Sequence, residues 1–380
     1  MTAPLRAAPT DSIFEQRDPV ERSHTLDPDG DVVLVLENAN PAFALWEQCT
    51  TAGLQEVNLA ADSPVADNGS VHPQTPEAET HPPMSSYDET RVQSPASTIP
   101  CVEFIVSSRH LTFSSHYFKA QLCGPWAEAS VHSQDGRRHT RIRDWDADAL
   151  ILMQIFHAKT GNTPRLIDLE QLAKIAVLVD YFSCYNTVRF FSTLWIDALK
   201  EQLPSQCNRE LVLWLFVAVV FRRDDIFQTI TKTAVTESKG PLPTLGLPFR
   251  GDLIDQIDFR RQDAIAGILR TLDTLGTSLL RGLSGCDFGC SSALFGALAK
   301  EMAKHNLMDP EPCAPFLGYG ITALEKAIKD FQTPRWGHSV YHASSSRPCQ
   351  LVDICTKLLG EGLDEVKKGF TLSEVGLFRP

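Results

Sequence analysis

The chain has 380 residues, 43% of them hydrophobic, which suffices for two compact domains with real cores alongside flexible segments. Its formal net charge of -12 works against phosphate backbones, which need a surplus of Lys and Arg, so direct nucleic-acid binding is not expected. The longest apolar run, Leu211 to Phe221, is far short of the roughly 20 residues that span a bilayer, so no membrane partner is expected and the run reads as a buried helix.

The first stretch, residues 1–27, is polar and proline-containing without periodicity and reads as a disordered N-terminus. It holds no apolar stretch of signal-peptide length and carries Asp11, Glu15 and Asp18, so the protein is expected inside the cell, in cytoplasm or nucleus, and not secreted. A turn at Asp29-Gly30-Asp31 then opens a first strand within residues 28–38, where Val32 to Leu36 is an unbroken aliphatic run of the kind buried on both faces. Residues 39–97 are rich in Pro, Ser, Thr, Asp and Glu and read as a disordered insert, with one short ordered turn at Pro41 to Trp46.

Order resumes over residues 98–203. Val102, Phe104 and Val106 alternate as in a strand, and a helix is predicted from Ser108 to Leu122 with Leu111, Ser115, Phe118 and Leu122 on one face. Asp135-Gly136 marks a tight turn before a short strand from His139 to Arg143, whose arginines read as a solvated face. Asp146 reads as the cap of a helix with Ala149, Leu152, Met153 and Phe156 inward, a cheaper account of Asp144, Asp146 and Asp148 than a carboxylate or cation site. Asp168 and Gln171 form a capping pair for the next helix, and Asn186 to Leu203 follows, stopped by Pro204. Strands before helices predict an α+β domain, a small sheet covered by helices.

Residues 204–380 predict helices alone: Asn208 to Phe221, Asp224 to Ala234, Asp252 to about Leu280, Ser291 to His305 and Ile321 to Phe331, joined by Gly/Pro loops. This is an all-α C-terminal domain, or a helical extension packed on the first.

The segment from Ser107 to Leu122 resembles the first helix of BTB/POZ domains, in which a leucine, a serine four later and a phenylalanine three after that seat the helix on the sheet. Here they are Leu111, Ser115 and Phe118. Asp31-Val32 looks like the start of the family's first strand, Gly124 to Glu128 like the turn after its first helix, and Ile142 with Ala149, Leu152, Phe156 and Thr160-Gly161 like its third strand and following helix. Two positions depart from the family pattern: Ser107 stands where histidine is usual, and Lys159 where an aromatic is. With its long insert, the chain is similar to the BTB-containing proteins of filamentous fungi. The resemblance implies an interaction module without catalysis, with protein partners, self-association through the first helix and strand, and, as in some members, docking on a cullin scaffold for a ubiquitin ligase. A transcription-associated dimeriser acting through partners is an alternative within the same class.

Ten cysteines lie without a dense framework, which suits reduced thiols or a few metal ligands. Cys286-x3-Cys290, His338-x3-His342, Cys349 and Cys355 are the residues that carry potential chemistry. Zinc takes thiolate and imidazole in a tetrahedron, so Cys286, Cys290, His342 and Cys349 are the candidate ligands of a structural site, with a metal-dependent enzyme as the alternative function. Against this stands the plainer expectation of no cofactor, with the cysteines reduced and simply buried.

Overall fold

The structure is a computed structural model that describes residues 22–46, 101–124, 135–143, 149–334 and 349–377. Four strands form one sheet: β1 (Arg22–Thr25), β2 (Val32–Glu37), β3 (Cys101–Val106) and β4 (Arg138–Arg143), in the order β1-β3-β2-β4. The interior strand β2 runs antiparallel to β3, with Leu34 opposite Phe104, and parallel to β4, with Leu34 opposite Thr140. Val32 to Leu36 are all buried, which is why this strand shows no polar alternation. On the outer strand β4, exposed Arg141 and Arg143 both reach back to Glu37 of β2, at 2.9 and 2.7 Å, so these arginines form a solvated face.

Strand β1 falls inside the stretch expected to be disordered. It is short and polar and pairs parallel to β3 at the sheet edge, after which Leu26 is buried and its N–H donates to Ile105 O at 2.9 Å. No period-two apolar pattern marks RSHT, because an edge strand of this length needs none. Pro41 to Trp46 packs on the fold through buried Ala44 and half-buried Phe43 and Trp46, and Arg209 donates to the carbonyls of Ala44 and Phe43 at 2.8 and 3.1 Å.

The helix expected from Ser108 to Leu122 is two helices, α1 (Ser108–Ser114) and α2 (His116–Cys123), broken at Ser115, whose backbone is extended. They are followed by α3 (Ala149–Phe156), a single 3-10 turn at Thr160–Asn162, α4 (Leu169–Phe182) and α5 (Tyr185–Leu199). The expected cap of α4 is formed: Asp168 Oδ1 accepts from Gln171 N at 2.7 Å. Asp144, Asp146 and Asp148 lie outside the described residues.

The helices continue with α6 (Arg209–Val220), α7 (Asp224–Glu237), α8 (Leu253–Leu280), α9 (Phe288–Lys304), α10 (Ile321–Lys329) and α11 (Leu351–Val366). Helix α6 is buried from Leu211 to Ala218 and packs between α4 and α7, so the buried residues of both halves form one continuous core. Among the described residues no helix is long and apolar enough to cross a membrane. Helix α11 has no counterpart in the sequence reading; Leu351, Cys355, Leu359 and Leu363 form its buried stripe, masked there by a cysteine and by Gly360 and Gly362. Beyond it the chain turns at Gly369, held so close to Gln228 O that a Cβ has no room, and Phe370 N and Leu372 N donate to Thr231 Oγ1 and Asp224 Oδ1 of α7 at 2.8 and 2.7 Å.

Candidate functional site

Four of the five motif residues taken from the resemblance work inside the fold. Asp31, at the mouth of β2, accepts from the backbone N–H and the hydroxyl of Ser108, both at 2.7 Å. A carboxylate thus caps α1 from another strand, where Ser107 offers no side-chain cap of its own. Partial burial opposes the charge on Asp31, but the two Ser108 donors outweigh it and hold the carboxyl below its usual range. Leu111 and Phe118 are wholly buried. Ser115 joins them: its Oγ accepts from Phe118 N at 3.2 Å and donates to Phe182 O at 2.7 Å, while the Phe118 and Phe182 rings stack with centroids 4.8 Å apart. Leu111, Ser115 and Phe118 are therefore buried and fasten α1 and α2 to α4. Gly161 is exposed in its 3-10 turn, with open space where a Cβ would stand.

His157 meets the departure at Ser107. The N–H of Ser107 donates to its Nε2 at 3.0 Å, and its Nδ1–H donates to Met153 O at 2.8 Å, an arrangement that requires the neutral ring. Burial pushes its pKa down, in keeping with that state.

The surface these joints position was not singled out by the sequence reading. Phe113 is 92% exposed on the outer side of α1, two residues from the buried Leu111. A large aromatic at a helix position facing away from the core was the available signal. Phe113 lines a groove of about 550 Å³ together with Lys119, Asp180, Tyr185, Arg222 and Arg250, between the α+β half and the end of α6. Arg250 pairs with Asp180 at 2.6 Å, and the Arg222 guanidinium lies 4.6 Å from the Tyr185 ring centroid. On α5, Phe190 and Leu194 are exposed one turn apart, and Leu166 is exposed just ahead of α4.

The helical half brings three thiols together. The sulfurs of Cys286, Cys290 and Cys349 all lie within 4.8 Å of one another. Asp287 caps α9, its Oδ1 accepting from Cys290 N at 2.7 Å, so Cys286 and Cys290 flank the first turn of that helix. Gly285 adopts φ +96 with its Cα against Ser291, where any Cβ would come within 3.0 Å of the Ser291 nitrogen; glycine lets the chain fold Cys286 back over the helix start. Cys349 stands one residue before the N-cap of α11. The hydrogen bond with the Cys290 thiol, some loss of solvation and the neighbouring Asp287 and Cys349 push the exposed Cys286 thiol up to about 11. Of the four candidate ligands three converge; His342, like His338, lies outside the described residues. Cys355 is buried on the stripe of α11, and burial pushes its thiol up to about 11, the behaviour of a packing residue.

No protein-family model, curated protein or solved structure matches this chain.

Proposed function

We propose that this chain is a non-catalytic protein-interaction module of the BTB/POZ type, which pairs with a second copy of itself through the outer face of α1 and α2. The observation that carries the reading is Phe113, held almost fully in water by a helix whose other side is locked into the core. Burying such a side chain is worth about 1.5–3 kcal/mol, and a two-fold contact doubles the gain because each copy contributes the same patch. The groove beside Phe113 offers the partner's ring a recess.

Three features support the type. After the additional edge strand β1, the elements β2, β3, α1 with α2, β4 and α3 follow in the order the resemblance implies. Leu111, Ser115 and Phe118 seat the first helix as that resemblance requires. The polar side chains of this half have structural tasks: Asp31 caps α1, Ser115 caps α2 and His157 receives the Ser107 N–H. Co-expressing two differently tagged copies tests the pairing. One tag is expected to recover the other copy, and Phe113→Asp on both is expected to abolish recovery; recovery unchanged by Phe113→Asp would sink this face as the interface.

Exposed Leu166, Phe190 and Leu194 favour a second role, docking on a cullin scaffold: the resemblance implies that contact around the helix that ends near Gly161 and the helices after it, and these residues lie just ahead of α4 and on α5. Titration calorimetry of the purified chain against a purified cullin N-terminal domain is expected to give binding that Phe190→Asp removes. Absence of heat at high concentration counts against the adaptor role alone.

A further inference from the structure

We propose that Cys286, Cys290 and Cys349 bind one zinc ion as thiolates, and that the ion clamps the start of α11 to the start of α9. Sulfurs in a tetrahedral thiolate site stand about 3.8 Å apart, given a Zn–S bond of about 2.3 Å. Three sulfurs within 4.8 Å of one another need only small side-chain rotations to reach that spacing. The three arrive from two segments distant in sequence, and all three are free thiols. Packing does not account for the group, since Cys286 is exposed while Cys290 is buried. A disulfide does not account for it either, because a pair would leave the third thiol idle.

The surroundings suit a cation held by thiolates. Helices α9 and α11 are 17 and 16 residues long, with Cys290 in the first turn of one and Cys349 one residue before the N-cap of the other, so the N-terminal ends of both lie beside the sulfurs. Asp287 Oδ2 lies 3.8 Å from Cys286 Sγ, which puts an oxygen donor beside the three sulfurs. Each thiol gives its proton to solvent as it ligates, and zinc undergoes no redox change.

The clamp also answers a structural need. Among the described residues helix α11 has no side-chain cap, and its start is joined to the loop after α10 by the bond from Leu351 N to Thr333 Oγ1 at 3.2 Å. Its far end is tied down by Phe370 and Leu372 on α7 and by Arg260, whose guanidinium sits 3.5 Å over the Phe370 ring. Zinc at Cys349 adds a tie at the other end, to the start of α9.

The test uses the full chain, purified under reducing conditions, stripped with a chelator and then supplied with zinc ion alone. Elemental analysis after desalting is expected to give one zinc per chain, and cobalt substitution to give sulfur-to-cobalt charge-transfer bands with the visible bands of a tetrahedral site. Cys286→Ser, at an exposed position that leaves the fold intact by circular dichroism, is expected to lose the metal, whereas Cys313→Ser is expected to retain it. Amide exchange over 351–366 is expected to slow when zinc is added to wild type and to be unaffected in Cys286→Ser. Failure of the stripped, reduced wild type to take up zinc, equal uptake by Cys286→Ser, or a disulfide between any two of the three thiols in the reduced preparation would each overturn the proposal.

Discussion

His157 holds the start of α1 by accepting the Ser107 N–H at Nε2, and a protonated ring cannot do so, because Nε2 then becomes a donor facing a donor. Its pKa in the folded chain lies below the ordinary value of 6.5, so between the two values the unfolded chain binds more protons than the folded one. Stability from this group is complete above about 6.5 and is lost as pH falls through that window. His305, buried beside Phe331, is shifted the same way and adds to the same slope. Asp31 works in a separate window: its lowered carboxyl contributes above its unfolded value of 3.8 and is lost only in stronger acid. The urea midpoint is therefore expected to drop between pH 7.5 and 5.5, and the drop is expected to shrink in His157→Gln, which does not titrate; an equal drop in the variant contradicts the assignment. Residues at this scale were partly legible. Leu111, Ser115 and Phe118 could be read from spacing, since burial on one helical face leaves a period. Ser115 as a break between two helices could not, because a serine on the inner face reads the same whether its hydroxyl bonds its own helix or Phe182 O. His157 carries no local signal at all, its partner being fifty positions away.

Among the elements, the helices with apolar stripes and capping side chains stood out, as at Asp168 for α4 and Asn208 for α6, where the cap oxygen accepts from Leu211 N at 3.0 Å. Helix α9 begins earlier than its stripe suggests, because Asp287 caps it ahead of the first inward residue. Strand β1 and helix α11 escaped notice for opposite reasons, one too short and polar to have a pattern, the other interrupted by two glycines. The loop before α10 hides a further device. Arg261 of α8 is fully buried, paired with Asp258 at 2.8 Å and donating to the carbonyls of Pro315, Phe316 and Tyr319 at 2.6, 3.2 and 3.4 Å. One guanidinium thus satisfies a loop that has no strand or helix to pair with. Arg261→Ala is expected to destabilise the chain by about 3 kcal/mol or more, since it removes the cation paired with Asp258 and the guanidinium bonds to the carbonyls of Pro315, Phe316 and Tyr319 in a buried site. Arg261→Lys should recover only part of this, as an ammonium cannot span the four acceptors. Urea unfolding reads both, and a loss below about 1 kcal/mol for Arg261→Ala, the worth of one ordinary hydrogen bond, would contradict the clamp.

In the whole molecule, the α+β half and the helical half share a core through α4 and α6, so the second half packs directly on the first. On the outer side of α1 the first half presents the face around Phe113, in an acidic chain whose exposed Arg141 and Arg143 on β4 pair with Glu37 of β2. A face of that kind is expected to find a partner, and a second copy supplies a matching one. The direct measurement is the mass of the purified full chain by light scattering across micromolar to hundred-micromolar concentration. The proposed pairing predicts a mass approaching twice the 42.1 kDa of one chain, falling to that of one chain in Phe113→Asp. A single-chain mass for wild type at the highest concentration would contradict it.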